Sequence, residues 1–176
     1  MPLLIQEAVN LYVGDDAPNA NKRNNLASIK LPTLEEITSS HHAGGALGAI
    51  EVGGLGLAAL EATFKQTGWD PQTLSQFGLG QRGRIPYTCY GLVRNKDITN
   101  KAIEVKAIMW GRLARIESDE FSRGDNLIGH DHTIKEILRY AVYFDGAEKY
   151  YYDWENGTWR VDGVDQNADE RRILRY

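Results

Sequence analysis

Two histidines in alternation, His130-Asp131-His132, are the residues of this chain with the most obvious chemical potential. On an extended backbone, side chains at i and i+2 share a face, so the two imidazoles could pinch a metal ion. No cysteine, glutamate or third histidine stands nearby at a recognisable spacing, and the surrounding segment is polar. The pair therefore reads as solvated loop histidines. His41-His42 is adjacent, so in an extended segment its rings point opposite ways and do not converge on an ion. Gly53-Gly54-Leu55-Gly56 has the look of a phosphate loop, but a period-2 segment follows it where an anion would need a helix N-terminus. Gly78-Leu79-Gly80 follows a helical pattern and reads as its terminator.

Cys89 lies on an alternating apolar face and reads as a small core residue. No Gly-x-Ser-x-Gly elbow is present, and the carboxylates are too scattered to nominate an acid/base pair. Asn156-Gly157-Thr158 matches a glycosylation sequon, but a hairpin turn explains it better. Arg171, Arg172 and Arg175 form a basic cluster that Asp169 and Glu170 are placed to neutralise along a helix. The reading is of a non-enzyme with no catalytic residue, cofactor or metal site.

The elements that would position any such group come next. At 176 residues the chain is long enough for a hydrophobic core and is expected to form one domain over 1–176. Its 42% hydrophobic and 25% charged residues are ordinary for a soluble globular protein. No apolar run suits a membrane span, and Met1–Glu7 has no basic residue ahead of its apolar patch, as a signal peptide would. One cysteine excludes an intramolecular disulfide and fits a reducing cytoplasm. With 24 acidic against 20 basic residues the net charge is −4. That balance argues against gripping nucleic acid, though not against a surface past which it slides.

Asn10–Val13 with the Ile5 region reads as a first strand, residues 14–25 as a loop, and Leu26, Ile29 and Leu31 as a further extended piece. Asp70 and Pro71 predict a short helix carrying Leu74 and Phe77, stopped by Gly78. Ile85, Tyr87, Cys89 and Val93 alternate. So do Ile103, Val105, Ala107 and Met109, until a bulge is needed beyond Trp110-Gly111. Glu117 to Thr133 reads as a long polar loop. Ile134, Leu138, Tyr140, Val142 and Phe144, then Tyr150, Tyr152 and Trp154, then Trp159 and Val161, predict a three-stranded meander. Asp145-Gly146 and Asn156-Gly157 are assigned as its two-residue type I′ turns. Val164–Tyr176 reads as a closing helix, with Asp165 or Asn167 as cap. Seven or eight strands and two short helices without β-α-β alternation predict a mainly β (α+β) fold, an antiparallel barrel or orthogonal sandwich.

The remaining stretch, Leu31 to Phe64, is rich in glycine and weakly apolar. Glycine loses the most backbone freedom on ordering, and long loops are uncommon without a function. Residues 35–56 are therefore expected to form an arm, inserted between strands, that orders only against a neighbouring subunit. Its contact residues are expected to be Glu35, Glu36, Ile37, His41, His42, Gly44, Gly45, Leu47 and Ile50.

Several short motifs carry a family likeness. They include Asn10-Leu11-Tyr12-Val13, Leu31-Pro32-Thr33-Leu34, Ala43-Gly44-Gly45, Ile50-Glu51-Val52 and Leu57 through Phe64. Asp70-Pro71 to Phe77-Gly78, Ile85-Pro86-Tyr87, Met109-Trp110-Gly111-Arg112-Leu113 and Phe121-x-x-Gly124-Asp125 follow in order. Tyr143-Phe144-Asp145-Gly146 and Val161-Asp162-Gly163-Val164-Asp165 complete them. With them the chain resembles the major tail tube proteins of contractile-tailed bacteriophages from Asn10 almost to its C-terminus. It departs in a longer, more polar loop at 15–25 and a more aromatic hairpin at 150–159.

The resemblance implies a barrel or orthogonal sandwich with a flanking helix, assembled in the host cytoplasm into homohexameric rings. The rings stack into a hollow virion tube around a tape-measure protein, inside a sheath and between baseplate and tail terminator proteins. Phage DNA later passes through the lumen without specific binding, and no membrane is involved. An excess of Asp and Glu along the lumen would keep phosphates from sticking. The alternatives are the tube of a related secretion or extracellular contractile injection system carrying protein effectors, and a monomeric β-barrel carrier or enzyme with Tyr150–Tyr152 lining a cavity.

Overall fold

The computed structural model describes residues 3–14, 17–45, 47–80, 82–120, 123 and 128–175. In chain order its strands are β1 (Leu4–Val13), β2 (Leu26–Lys30), β3 (Ser39–His41), β4 (Ile50–Val52) and β5 (Ala62–Thr67). After a one-turn helix α1 (Pro71–Leu74) come β6 (Ile85–Asn95), β7 (Ala102–Ser118), β8 (Gly129–Phe144), β9 (Ala147–Asp153), β10 (Thr158–Val161) and β11 (Val164–Asp165). Helix α2 (Ala168–Leu174) follows, and a 3₁₀ turn, Pro18–Ala20, sits in the polar loop after β1. The eleven strands among the described residues exceed the seven or eight read from the sequence, because β3, β4 and β11 are too short to carry a periodic signal.

The main sheet runs β1-β6-β7-β8-β9-β10-β11, every described pair antiparallel. The first half of β8 also pairs with β5, and β5 with β2, so β7 and β8 belong to both layers. They can do so because they bend. The β7–β8 register slips at Trp110/Arg112 and again at Leu113/Arg115, the irregularity that the broken alternation after Trp110 demands. Gly111 sits at the fold of the strand. A Cβ there would lie 2.8 Å from Ile134 Cγ2 and 3.0 Å from the Lys135 carbonyl oxygen, so only glycine lets the layers close this far.

Between the layers lie Leu11, Phe64, Tyr87, Met109, Leu113 and Ile134, each essentially inaccessible. Tyr87, Cys89 and Val93 face this core as their alternation predicts. On the open side the Lys22 N–H donates to the Leu11 carbonyl at 2.8 Å and Tyr12 bridges Asn21. Among the described residues no ladder joins β1 to β2, so the expected barrel or orthogonal sandwich is realised as a sandwich-like sheet that does not close.

Local chemistry explains most boundaries. Asp70 caps α1, accepting from the Thr73 N–H at 3.3 Å and the Thr73 hydroxyl at 2.7 Å. The helix ends at Leu74, earlier than Gly78. Gly78 instead serves close approach: its N–H donates to the Leu113 carbonyl at 2.8 Å, and a Cβ would lie 2.9 Å from that oxygen. Asp145-Gly146 forms the predicted two-residue turn with φ of 50° and 79°. Asn156-Gly157 does not. It lies in a four-residue loop, Trp154–Gly157, while the second tight turn is Asp162-Gly163 at φ 49° and 77°. The predicted loop at 117–133 is shorter than expected, since β7 runs to Ser118 and β8 begins at Gly129. Phe121, Gly124, Asp125 and Leu127 lie outside the described residues.

Candidate assembly surface

The arm is a β-hairpin, more regular than its composition suggests. Ser39, Ser40 and His41 pair with Val52, Glu51 and Ile50. Below them the Ile37 N–H donates to the Gly56 carbonyl and the Ala58 N–H to the Glu35 carbonyl, both at 2.8 Å, and Glu36 bridges Leu57. The Glu36 carboxylate accepts from the Gly54 N–H at 3.4 Å. Glu35, Glu36, Ile37, His41 and Ile50 thus lie in the paired stem, and His42, Gly44, Gly45 and Leu47 in the tip. All nine residues named from the sequence are exposed. An isolated two-stranded hairpin is marginal in water, and this one holds Leu47 and Ile50, 110% and 62% exposed, in solvent.

At the hairpin's base is a groove of about 760 Å³, closed on its other side by the β9–β10 loop and α2. Leu55, Leu57, Trp154 and Trp159 supply its apolar wall, and Glu35, Glu36 and Glu170 its acidic rim. The loop is held by Asp153, which is buried, accepts from the Asn156 N–H at 3.2 Å and the Asn156 amide at 2.8 Å, and forms an ion pair with Arg139 Nε at 3.1 Å. Burial opposes its charge, but these donors outweigh burial and hold the carboxyl below its usual range. Capturing Asn156 in this way widens the turn and leaves Trp154 outside the strand. Arg171 anchors α2 by pairing with Asp165 and donating to the Gly157 carbonyl at 3.2 Å. Arg172 pairs with Asp169 at 3.1 Å, the helix-surface pairing expected there.

The sheet also ends openly. Leu3, Leu4 and Ile5 on β1 and its approach are exposed, and the far edge is the two-residue β11. Such edges present backbone donors and acceptors to another chain.

His130 and His132 are not solvated loop residues. Both lie on β8 with about 1% exposure. His132 stacks on Phe64 at 4.5 Å and 3°, and His130 meets Trp69 edge-on at 4.5 Å. His130 Nδ1 is 2.9 Å from the Ser118 hydroxyl; His130 Nε2 and both His132 nitrogens have no hydrogen-bond partner among the described residues. Burial pushes the His132 pKa down. Extending the Ile134 alternation backwards by two and four residues would have placed both rings inward. Among the described residues no group of three His, Cys, Asp or Glu side chains is placed to hold a metal ion, and no helix is long and apolar enough to cross a membrane.

Hairpin, groove and open sheet edges define a class: an antiparallel β protein with exposed apolar side chains and strand edges outside its core. The family model described as phage tail tube protein FII matches residues 9–174, and the chain belongs to that family. Comparison with curated proteins gives no match.

Solved structures share the fold at 11% identity. One is a sheath/tube terminator of an extracellular contractile injection system, PVC, in the extended state, with TM-score 0.52, covering 77% of this chain and 93% of that one. A second is the sheath-tube complex of that system, with TM-score 0.50, covering 78% and 87%. A third is the tube-terminating cap of the anti-feeding prophage, with TM-score 0.51, covering 77% and 87%.

Proposed function

We propose that this chain builds the inner tube of a contractile phage tail. Homohexameric rings form by head-to-tail contacts and stack into a hollow conduit through which DNA leaves the virion. The observation that carries this reading is the family match over residues 9–174 in a chain whose hairpin arm keeps Ile37, Leu47 and Ile50 exposed. A head-to-tail contact closes into a ring when its rotation closes. Arm and edges then meet copies in the same and adjacent rings, inserted from a single domain spanning the chain.

The sheath surrounds this tube, the tape-measure protein fills it during assembly in the host cytoplasm, and baseplate and terminator proteins finish its ends. The chain works as a structural part and not as an enzyme, without cofactor, specific DNA binding or membrane contact. Its net charge of −4 suits a lumen lined by excess carboxylates that lets phosphates pass. Negative-stain microscopy of the purified protein tests the proposal: hollow tubes of stacked rings support it, and a monodisperse monomer at high concentration overturns it.

The injection-system structures favour a second reading, in which the same tube carries protein effectors. Neighbouring capsid and terminase genes would select the phage, and secretion components the alternative.

A further inference from the structure

The acid-rimmed groove has a complementary partner on the same molecule, at the other side of the sheet. Leu79, Arg82 and Arg84 precede β6, the strand between β1 and β7, while the groove lies by β9, β10 and α2. One row of paired residues joins the two places: Pro86, Trp110, Arg139, Asp153 and Thr158 lie opposite one another across β6 to β10. The start of β6 and the groove therefore share a strand end and lie on opposite sides of β7 and β8.

Their chemistry matches as well as their placement. Leu79 is 85% exposed, and Arg82 is exposed and pairs with no carboxylate among the described residues. The other cations nearby, Arg84 and Arg112, are already shared by Glu136, at 3.4 and 2.7 Å. In the groove, no cation pairs with Glu35, Glu36 or Glu170 among the described residues. Its wall holds Trp154 and Leu55, 65% and 55% exposed. A leucine and an arginine three residues apart are what an apolar wall with a carboxylate rim can take.

We infer that Leu79 and Arg82 of one copy seat in the groove of the copy beside it, Leu79 against Trp154 and Leu55, and Arg82 against Glu35 and Glu170. The contact joins different surfaces of the two copies without a shift along the strands. It is a lateral contact within a ring, distinct from whatever the hairpin tip reaches. It rests on the tube reading for the identity of the neighbour.

Charge reversal tests it. Arg82→Glu alone and Glu35→Arg/Glu170→Arg alone each place like charges together and are expected to lower tube yield about tenfold or more. An equimolar mixture of the two restores opposite charge at every contact of an alternating, even-numbered ring, and is expected to recover assembly. All these positions are exposed, and unchanged melting curves establish that the variants fold. A second readout is disulfide formation in Leu55→Cys/Leu79→Cys tubes, with a clean background because the native Cys89 is buried. Inter-subunit ladders on mild oxidation support the contact.

Wild-type tubes with variants that assemble as well as the parent, or a mixture that stays unassembled, overturn this contact and leave the tube reading intact. A wild-type protein that stays monomeric removes both.

Discussion

Lys22 Nζ lies 2.8 Å from Asp70 Oδ2, with the two side chains only 4% and 10% exposed. This ion pair ties the loop after β1 to the cap of α1. Asp70 also accepts from the Gln66 amide at 3.2 Å and the Thr73 hydroxyl at 2.7 Å, and Lys22 donates to Gln72 at 3.2 Å. One carboxylate thus holds β5, α1 and the β1–β2 connection together.

Lys22→Ala leaves that carboxylate buried without its cation and is expected to cost about 3 kcal/mol, measurable by urea denaturation. Burial raises the Asp70 pKa, but Lys22 and Thr73 outweigh it and bring it to about 2. Because the folded value is the lower one, the pair's contribution is complete above the ordinary carboxylate range. It is lost as pH falls through that range to about 2. Lys22→Ala should flatten this acid limb of the stability curve.

Gly111→Ala is expected to destabilise by about 1–3 kcal/mol through overpacking, since the new methyl would meet Ile134 and the Lys135 carbonyl. Gly44→Ala, with open space around the position, is the control and should leave the melting temperature within a degree or two. Equal effects of the two would mean that β7 and β8 do not fold around residue 111.

His132 makes stability depend on pH near neutrality. Its folded pKa is depressed, so the unfolded chain takes up a proton first as pH falls below about 6.5. Stability should decline from that pH down to the folded value. Around the ring lie Phe64 from β5, His130 and Asp131 from β8, with Lys65 and Asp119 pairing outside. Melting temperatures from pH 7.5 to 5 should fall more steeply for the wild type than for His132→Phe, which keeps the stack on Phe64 and cannot titrate. Parallel curves would contradict this.

The sequence reading succeeds where the cause is local. Asp145-Gly146 is legible because a two-residue turn needs φ > 0 at both positions. Asp70-Pro71 is legible because cap and first helical position are neighbours, and the β7 bulge because Trp110-Gly111 interrupts a period. It fails where distant residues decide. His130 and His132 are polar and flank a loop, yet Phe64 and Trp69 draw them into the core. Asn156-Gly157 looks like a tight turn until the Asp153 carboxylate widens it. The groove is assembled from residues 34–57 and 152–170, a juxtaposition without a sequence period.

Deletion of residues 39–49, closed by a short linker, tests the central claim most directly: that the hairpin arm exists to join copies of this chain. Size-exclusion chromatography and negative-stain microscopy should show a folded monomer or small oligomer with a melting temperature near that of the wild type and no tubes. Long tubes from the deleted protein, at wild-type yield, would contradict the account.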